Sequence, residues 1–285
     1  MIQVFNDIAS YRTWREGLAP HVSLGFVPTM GALHQGHASL MKASVEENDL
    51  TVLSIFVNPT QFAADEDLGT YPRTLEADIE LAASLGVDAV FVPMAADIYP
   101  AEPVQINFNI RDLDKVMEGE SRPTHMNGVV QVVSILFHII QPKRAYFGLK
   151  DYQQQLIIKT MVKELHFPLE IVACPIVREE DGLAMSSRNR YLNPAERQQA
   201  LYLHTSLTYL KEHLSEFPSV EAACDWVAQQ ASNYPLAKLD YIQIRNGHTL
   251  QTIDSLNLSN KPVAFMAAYL GSTRLIDNQI LLEEA

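Results

Sequence analysis

Val27-Pro28-Thr29-Met30-Gly31-Ala32-Leu33-His34-Gln35-Gly36-His37 is the stretch whose reading decides the fold of this chain. Ahead of it the apolar positions Val22, Leu24 and Phe26 read as a short buried strand. Behind it Leu40, Met41 and Val45 recur at helical spacing. A strand, a glycine-bearing turn and a helix start in that order bring backbone N–H groups together, where the helix dipole also favours an anion. Gly31 and Gly36 let a ligand approach the main chain closely. His34 and His37, three positions apart, can point the same way. Two histidines in isolation are more often surface residues, but this position at a strand end predicts chemistry on a phosphate.

Outward from this stretch the chain alternates strand and helix signals. Residues 51–57 are a β-branched apolar run suited to a parallel strand buried on both faces, ending in the loop signal Asn58-Pro59. A long polar loop over 60–73 follows, with the acidic run Asp65-Glu66-Asp67 read as a solvated face. Thr74 is placed to cap a helix that Gly86 ends. Residues 88–92 read as a strand, Pro93, Pro100 and Pro103 punctuate the next stretch, and 118–127 is rich in turn formers. A helix over 128–140, a strand over 144–147, a helix over 152–165 capped by Asp151 and a strand over 169–173 complete the series. This rhythm predicts an α/β fold, a doubly wound parallel sheet of Rossmann-like type, over residues 1–176.

After Pro175 the pattern changes. Asn193-Pro194 opens one long amphipathic helix to about residue 214, and a second helix covers 220–232. Alternating runs at 239–245, 263–269 and 273–276 predict a small antiparallel sheet. Residues 177–285 therefore read as a smaller C-terminal α+β domain acting as a lid, with 177–191 as hinge and as edge of the first domain.

Bulk properties narrow the classes. The chain has 285 residues, 47% hydrophobic and 19% charged, as in ordinary globular proteins. A formal net charge of -13 argues against a general nucleic-acid surface. Cys174 and Cys224 lie far apart, outside any paired-cysteine motif, so they read as two structural thiols. The first residues carry no signal-peptide pattern, and the apolar run 129–140 is too short to span a bilayer. The expectation is a cytoplasmic protein with no membrane partner.

Two further clusters carry chemistry. Gly148-Leu149-Lys150-Asp151 falls at another strand end, on the same carboxyl edge as the histidine turn, which favours phosphate contact for Lys150. Met185-Ser186-Ser187-Arg188-Asn189-Arg190, led by Gly182, offers two hydroxyls and an arginine fork to a polyphosphate. Gln61, Gln153 and Gln154 are uncharged donors and acceptors that suit hydroxyl and carboxylate recognition. His21, His138, His166, His204, His213 and His248 read as surface or core-satisfied, and His125 stays undecided. No G-x-G-x-x-G turn follows the first strand, which disfavours a nicotinamide-dependent dehydrogenase.

These clusters resemble known proteins. His34-Gln35-Gly36-His37 resembles the HxGH signature of the nucleotidyltransferase superfamily. Met185-Ser186-Ser187-Arg188 resembles a divergent KMSKS-type loop in which Ala184 replaces the first lysine. Pro28 to His34, Phe56-Val57-Asn58-Pro59-Thr60-Gln61-Phe62, Tyr71-Pro72-Arg73-Thr74, Tyr146-Phe147-Gly148, Lys150-Asp151-Tyr152-Gln153-Gln154 and Ser186-Ser187-Arg188-Asn189 are together similar to the pantoate–β-alanine ligase family, densely over residues 22–196.

The resemblance implies an AMP-forming ligase making a C–N bond. Pantoate carboxylate attacks the α-phosphate of ATP to give pantoyl adenylate and pyrophosphate, and β-alanine then displaces AMP to give pantothenate. It implies that His34, His37 and Lys150 are catalytic, with His37 best placed on the adenylation transition state. Met30, Gly31, His34, His37, Gly148, Lys150, Asp151, Val177, Met185, Ser186, Ser187 and Arg188 would bind ATP; Gly148 and Asp151 would meet the ribose and Val177 the adenine. Gln61, Gln154 and the Met30 backbone amide would bind pantoate. Mg2+ accompanies ATP, no protein metal site is expected, and the family is commonly homodimeric. Leu149 stands where the family commonly has glutamate. The alternative is another HxGH nucleotidyltransferase that ends with a nucleotide-linked product; Gln61 and Gln154 speak for the ligase.

Overall fold

The computed structural model describes residues 2–63, 66–100, 104 and 106–282. Asp65 and Pro103 lie outside them. The chain divides into two compact units, Met1–Leu149 with Gln153–Pro175, and Lys150–Tyr152 with Ile176–Ala285.

In the first unit the order is β1 (Gln3–Phe5), α1 (Ile8–Glu16), β2 (Leu24–Thr29), α2 (Gln35–Glu47), β3 (Leu50–Ile55), α3 (Leu75–Ser84) and β4 (Ala89–Phe91). The one-turn helices α4 (Ala95–Ile98) and α5 (Glu118–Ser121) follow, then α6 (His125–Ile140), β5 (Arg144–Gly148), α7 (Tyr152–Glu164) and β6 (Glu170–Cys174). All six strands are parallel, in the order β1-β4-β3-β2-β5-β6.

Alternation along the strands explains why helices cover both faces. Leu24, Phe26, Val52, Ala89, Phe91, Ala145 and Phe147 pack with residues of α1, α6 and α7. Val27, Leu53, Ile55, Val90 and Tyr146 join a separate core with residues of α2 and α3. From β2 the chain winds outward through β3 and β4, then returns to place β5 on the other side of β2. The strand order reverses between β2 and β5, and such a switch point is where open α/β sheets bind ligands. Thr29 and Gly148 are the last residues of those two strands.

In the second unit α8 (Pro194–Gln199), α9 (Leu201–Glu212) and α10 (Val220–Gln230) accompany the antiparallel sheet β7 (Ala237–Asn246), β8 (Pro262–Leu270) and β9 (Thr273–Ile280). Their core gathers Tyr202, Leu203, Leu207, Leu210, Val227, Met266 and Leu270.

Several expectations need correction. β1 escaped the sequence reading because three residues, one of them the exposed Val4, carry no usable period. The helix expected over 193–214 is two helices meeting at Ala200. That residue keeps helical dihedrals (φ -63°, ψ -21°), so the apolar spacing runs through the junction unbroken. α6 begins at His125, three residues before the expected start, and α5 occupies part of the turn-rich stretch. Thr74 stands at the start of α3, but its hydroxyl bonds the Asp78 carboxylate rather than capping the helix. Residues 177–191 pair with themselves through an Arg178–Ala184 bridge and form no edge of the parallel sheet.

Candidate active site

The histidine turn is built by three devices. First, Gly31 and Ala32 both take positive φ (+82° and +50°), which reverses the chain after β2. Glycine adopts this without cost, whereas Ala32 must be held there. Second, Asp78 holds it: one carboxylate oxygen accepts from Ala32 N at 2.9 Å, the other from Leu33 N at 2.9 Å and from Thr74 Oγ1 at 3.1 Å. Asp78 is buried on α3. Third, the histidines cap α2 themselves. His34 Nδ1 accepts from Gly36 N at 3.1 Å, and His37 Nδ1 accepts from His34 N at 3.3 Å, a reciprocal capping box made of imidazoles.

That box fixes the tautomers. A ring nitrogen that accepts an N–H bond carries no proton, so each neutral imidazole has its proton on Nε2. The rings lie side by side, centroids 4.0 Å apart, at the start of a thirteen-residue helix. Two Nε2–H donors and the positive end of a helix dipole suit charge building on a phosphate.

Met30 and Gln61 come together in the same unit. Gln61 Nε2 donates to Met30 Sδ at 3.2 Å, and its Oε1 accepts from Asn58 Nδ2 at 3.0 Å. Asn58, 1% exposed, commits its other groups to the Gly128 carbonyl, the Tyr99 hydroxyl and Thr60. A side chain at Gly128 would strike the main chain of Thr60 and Gln61, so glycine there lets this turn seat on α6. Below it His125 Nδ1 bonds the Gln61 carbonyl at 3.0 Å. That carbonyl can only accept, so Nδ1 carries the proton.

Gln154 is half-buried on the first turn of α7, and no described hydrogen bond joins it to Gln61. Gln153 is a correction. Its amide is committed to the main chain, accepting from Glu118 N and donating to the Leu113 and Val116 carbonyls, so it offers nothing to a substrate. Glu66 is another: it is no part of a solvated face but meets Arg122 through two bonds of 2.6 Å. Burial raises its carboxyl pKa, and the Arg122 bonds and charge outweigh that and hold it low.

Apart from Gly148, the last residue of β5 in the first unit, the remaining predicted residues lie in the second unit. Met185 N bonds Val177 O at 3.0 Å and Glu179 N bonds Leu183 O at 2.8 Å, closing a hairpin that turns at Gly182 (φ +96°). Val177 and Met185 are therefore paired. The serine loop leaves that hairpin directly: Ser186 Oγ accepts from Arg188 N at 3.3 Å and starts a short 3₁₀ turn, Ser187–Tyr191. Asn189 ties the turn back to Glu179 and to the Ala184 carbonyl. Lys150 Nζ lies 3.6 Å from Asp151 Oδ1.

Two residues that sequence reasoning missed hold this cluster to β9. Asn278 Nδ2 donates to Lys150 O at 2.8 Å, and Asp277, itself buried, accepts from the two terminal guanidinium nitrogens of Arg178 at 2.7 and 3.1 Å. The expected strand stopped at residue 276, just short of both. A polar pair closing an apolar strand reads as a loop, so only their burial gives them away. Asp78 did leave a signal: it falls four residues before Ala82 on the buried stripe of α3.

The cysteines are free; burial pushes the Cys174 thiol up to about 11, with Glu47 adding to it, and that thiol stays protonated at neutral pH.

His125 gives a pH prediction. Burial, helped by the nearby Arg122 charge, lowers its pKa to about 4 from an ordinary 6.5. The unfolded chain then binds a proton that the folded chain refuses between these values. The His125 contribution is fully present above pH 6.5 and is lost as pH falls toward 4, by about 3 kcal/mol in all. Urea unfolding at pH 7 and pH 4.5 measures it: His125→Asn is expected to flatten the slope, and an unchanged slope overturns the assignment.

The first unit is a doubly wound parallel sheet whose His34-Gln35-Gly36-His37 helix start sits at the sheet's switch point, the architecture of the HxGH nucleotidyltransferases. The sequence pattern of the family described as Pantoate-beta-alanine ligase matches residues 3–280. The pantothenate synthetase of Moorella thermoacetica is 48% identical over 262 residues, covering 91% of each chain. The crystal structure of pantothenate synthetase from Thermus thermophilus superposes with a TM-score of 0.91 at 39% identity, covering 98% of this chain and 99% of that one. A pantoate–β-alanine ligase from Francisella tularensis, solved with β-γ ATP and β-alanine, has a TM-score of 0.81 at 37% identity, over 99% and 98% of the two chains. This chain belongs to the pantoate–β-alanine ligase family.

Proposed function

We propose that this chain joins pantoate to β-alanine at the expense of ATP, through a pantoyl adenylate. A pantoate carboxylate oxygen attacks the α-phosphorus and the bond to the β-phosphate breaks, releasing pyrophosphate. The unprotonated amine of β-alanine then attacks the acyl carbon. A C–N bond forms, the acyl–oxygen bond breaks, AMP leaves and the nitrogen gives up a proton. Adenylation is needed because a free carboxylate is a poor acyl donor.

One observation carries the reading beyond family membership: the imidazole capping box that sets both His34 and His37 as Nε2–H donors at the α2 start. In the assignment His37 Nε2–H stabilises the negative charge on the pentacoordinate phosphorus, while His34 and the Gly31 backbone meet the neighbouring phosphate oxygens. Lys150, Ser186, Ser187 and Arg188 hold the polyphosphate, Met185 and Val177 border the base, and Gly148 and Asp151 meet the ribose. Gln61, Gln154 and the Met30 amide take pantoate.

Magnesium enters with ATP as part of that substrate. Among the described residues no group of three or more His, Cys, Asp or Glu side chains is arranged to hold a metal ion. Triphosphate oxygens and water would supply its ligands. A homodimer belongs to the same reading, and sedimentation velocity tests it. So does a cytoplasmic location, in keeping with the described helices, none of which is long and apolar enough to cross a membrane.

Isotope exchange tests the reaction order. Exchange of labelled pyrophosphate into ATP is expected to require pantoate and to proceed without β-alanine. Exchange that ignores pantoate overturns the ligase reading.

A further inference from the structure

Residues 113–125 connect the two ends of the proposed acid pocket through main-chain bonds. At one end Gln153, 3% exposed, makes three hydrogen bonds with a single amide. Its Oε1 accepts from Glu118 N at 3.1 Å, and its Nε2 donates to Leu113 O at 2.7 Å and Val116 O at 2.9 Å. At the other end His125 donates to the carbonyl of Gln61 itself, and Arg122 grips Glu66 in the loop beyond it. Gln153 directly precedes Gln154 on α7, so the segment runs from one substrate amide to the other.

The segment between these anchors is tight. Met117 takes φ +50° and ψ -119°, a region that a long L side chain seldom adopts, yet it is 1% exposed. A Cβ added at Gly119 would overlap the Asp114 carbonyl. Backbone bonds Arg122 N to Glu118 O (2.8 Å) and His125 N to Arg122 O (3.0 Å) continue the run without slack. A buried position of this kind would be filled by leucine or methionine if packing were its purpose. An amide satisfied three ways costs desolvation and gives orientation in return.

We propose that residues 113–125 form a brace that sets the separation and orientation of Gln61 and Gln154, and thereby selects the size of the hydroxy acid those amides accept. Gln153 and His125 are its positioning residues; neither touches substrate. The inference rests on the reading of Gln61 and Gln154 as the pantoate ligands. Strain at Met117 has a use in this scheme. It fixes a kinked path of one length, where a relaxed loop would let the two glutamines drift.

Gln153→Met removes all three bonds at nearly constant volume, and Gln153→Glu keeps the acceptor while replacing the NH2 by one oxygen that faces two carbonyls. The measurement is pyrophosphate exchange with pantoate, with a homologue one methylene longer, and with varied ATP. Both variants are expected to raise KM for pantoate about tenfold and to lower the preference for pantoate over the longer acid by a similar factor, since one methylene governs discrimination on that scale. KM for ATP should stay within about twofold.

A purely structural role would lower kcat with the active fraction and leave both KM values and the preference in place, which overturns the brace. Should the Gln153 variants fail to fold, His125→Phe and His125→Asn decide. Loss of the donor in Phe is expected to relax acid selection and the Asn amide to restore it, whereas equal behaviour of the two overturns the proposal. Gln61→Ala and Gln154→Ala separate the premise from the inference. If neither alters KM for pantoate, the acid-pocket reading fails; if both do and Gln153→Met does not, the brace fails.

Discussion

His37→Ala is expected to slow adenylation by about two to three orders of magnitude while changing pantoate affinity by no more than about threefold. His37 Nδ1 is occupied by the His34 backbone N–H at 3.3 Å, so the ring presents Nε2–H from a fixed orientation. A fixed donor gains most when charge appears in front of it. The α-phosphate gains charge as the carboxylate oxygen arrives, so the bond strengthens in the transition state and little in the ground state. Alanine also removes one half of the capping box on α2, the acceptor for His34 N–H, worth about 1 kcal/mol of stability. His37→Asn separates the two effects, because its Oδ1 can still accept from His34 N while no imidazole N–H remains. Pre-steady-state formation of pantoyl adenylate should be lost in both variants, and thermal stability recovered only in Asn. Equal loss of rate and of pantoate affinity would identify His37 as an ordinary binding contact.

Asp78→Ala is the second large effect, and it acts without touching substrate. The carboxylate bonds Ala32 N and Leu33 N at 2.9 Å each, both in buried surroundings. Hydrogen bonds to a charged acceptor contribute about 1.5–3 kcal/mol each, so losing two should lower stability by about 3–6 kcal/mol. The left-handed pair Gly31 and Ala32 then loses what holds it, and the two imidazoles lose their aim. Exchange activity should fall about a hundredfold or more, since small misplacements of catalytic groups cost on that scale. Asp78→Asn retains one acceptor oxygen, turns an NH2 toward the second backbone donor, and should fall between. Guanidinium unfolding together with pyrophosphate exchange measures both losses. A variant with native stability and native exchange would show that the turn holds itself.

How much could be read from the chain alone depends on how local each cause is. The β-branched run at 51–57, the apolar stripe of α6 and the capping pair Asn193-Pro194 act within a few residues, and the strand, helix and helix start they predict are present. The histidine turn is local too: strand, left-handed glycine and helix start all fall within fifteen residues. Gln153 and Gln154 look alike as letters, and only folding separates a main-chain clamp from a half-buried amide. Glu66 looked solvated because its arginine partner comes 56 positions later.

Local pattern along the chain specifies the doubly wound parallel domain and the antiparallel second sheet, and singles out the turn at His34 and His37. Periodicity, glycine and capping residues act on neighbours along the chain. Tertiary structure alone decided what holds those groups: Asp78 under the turn, Asn278 on the Lys150 carbonyl, Asp277 on Arg178, and residues 113–125 beneath Gln61. Each is a buried polar group whose partner is remote in sequence or is main chain. Its cost of burial is met only once the fold supplies that partner.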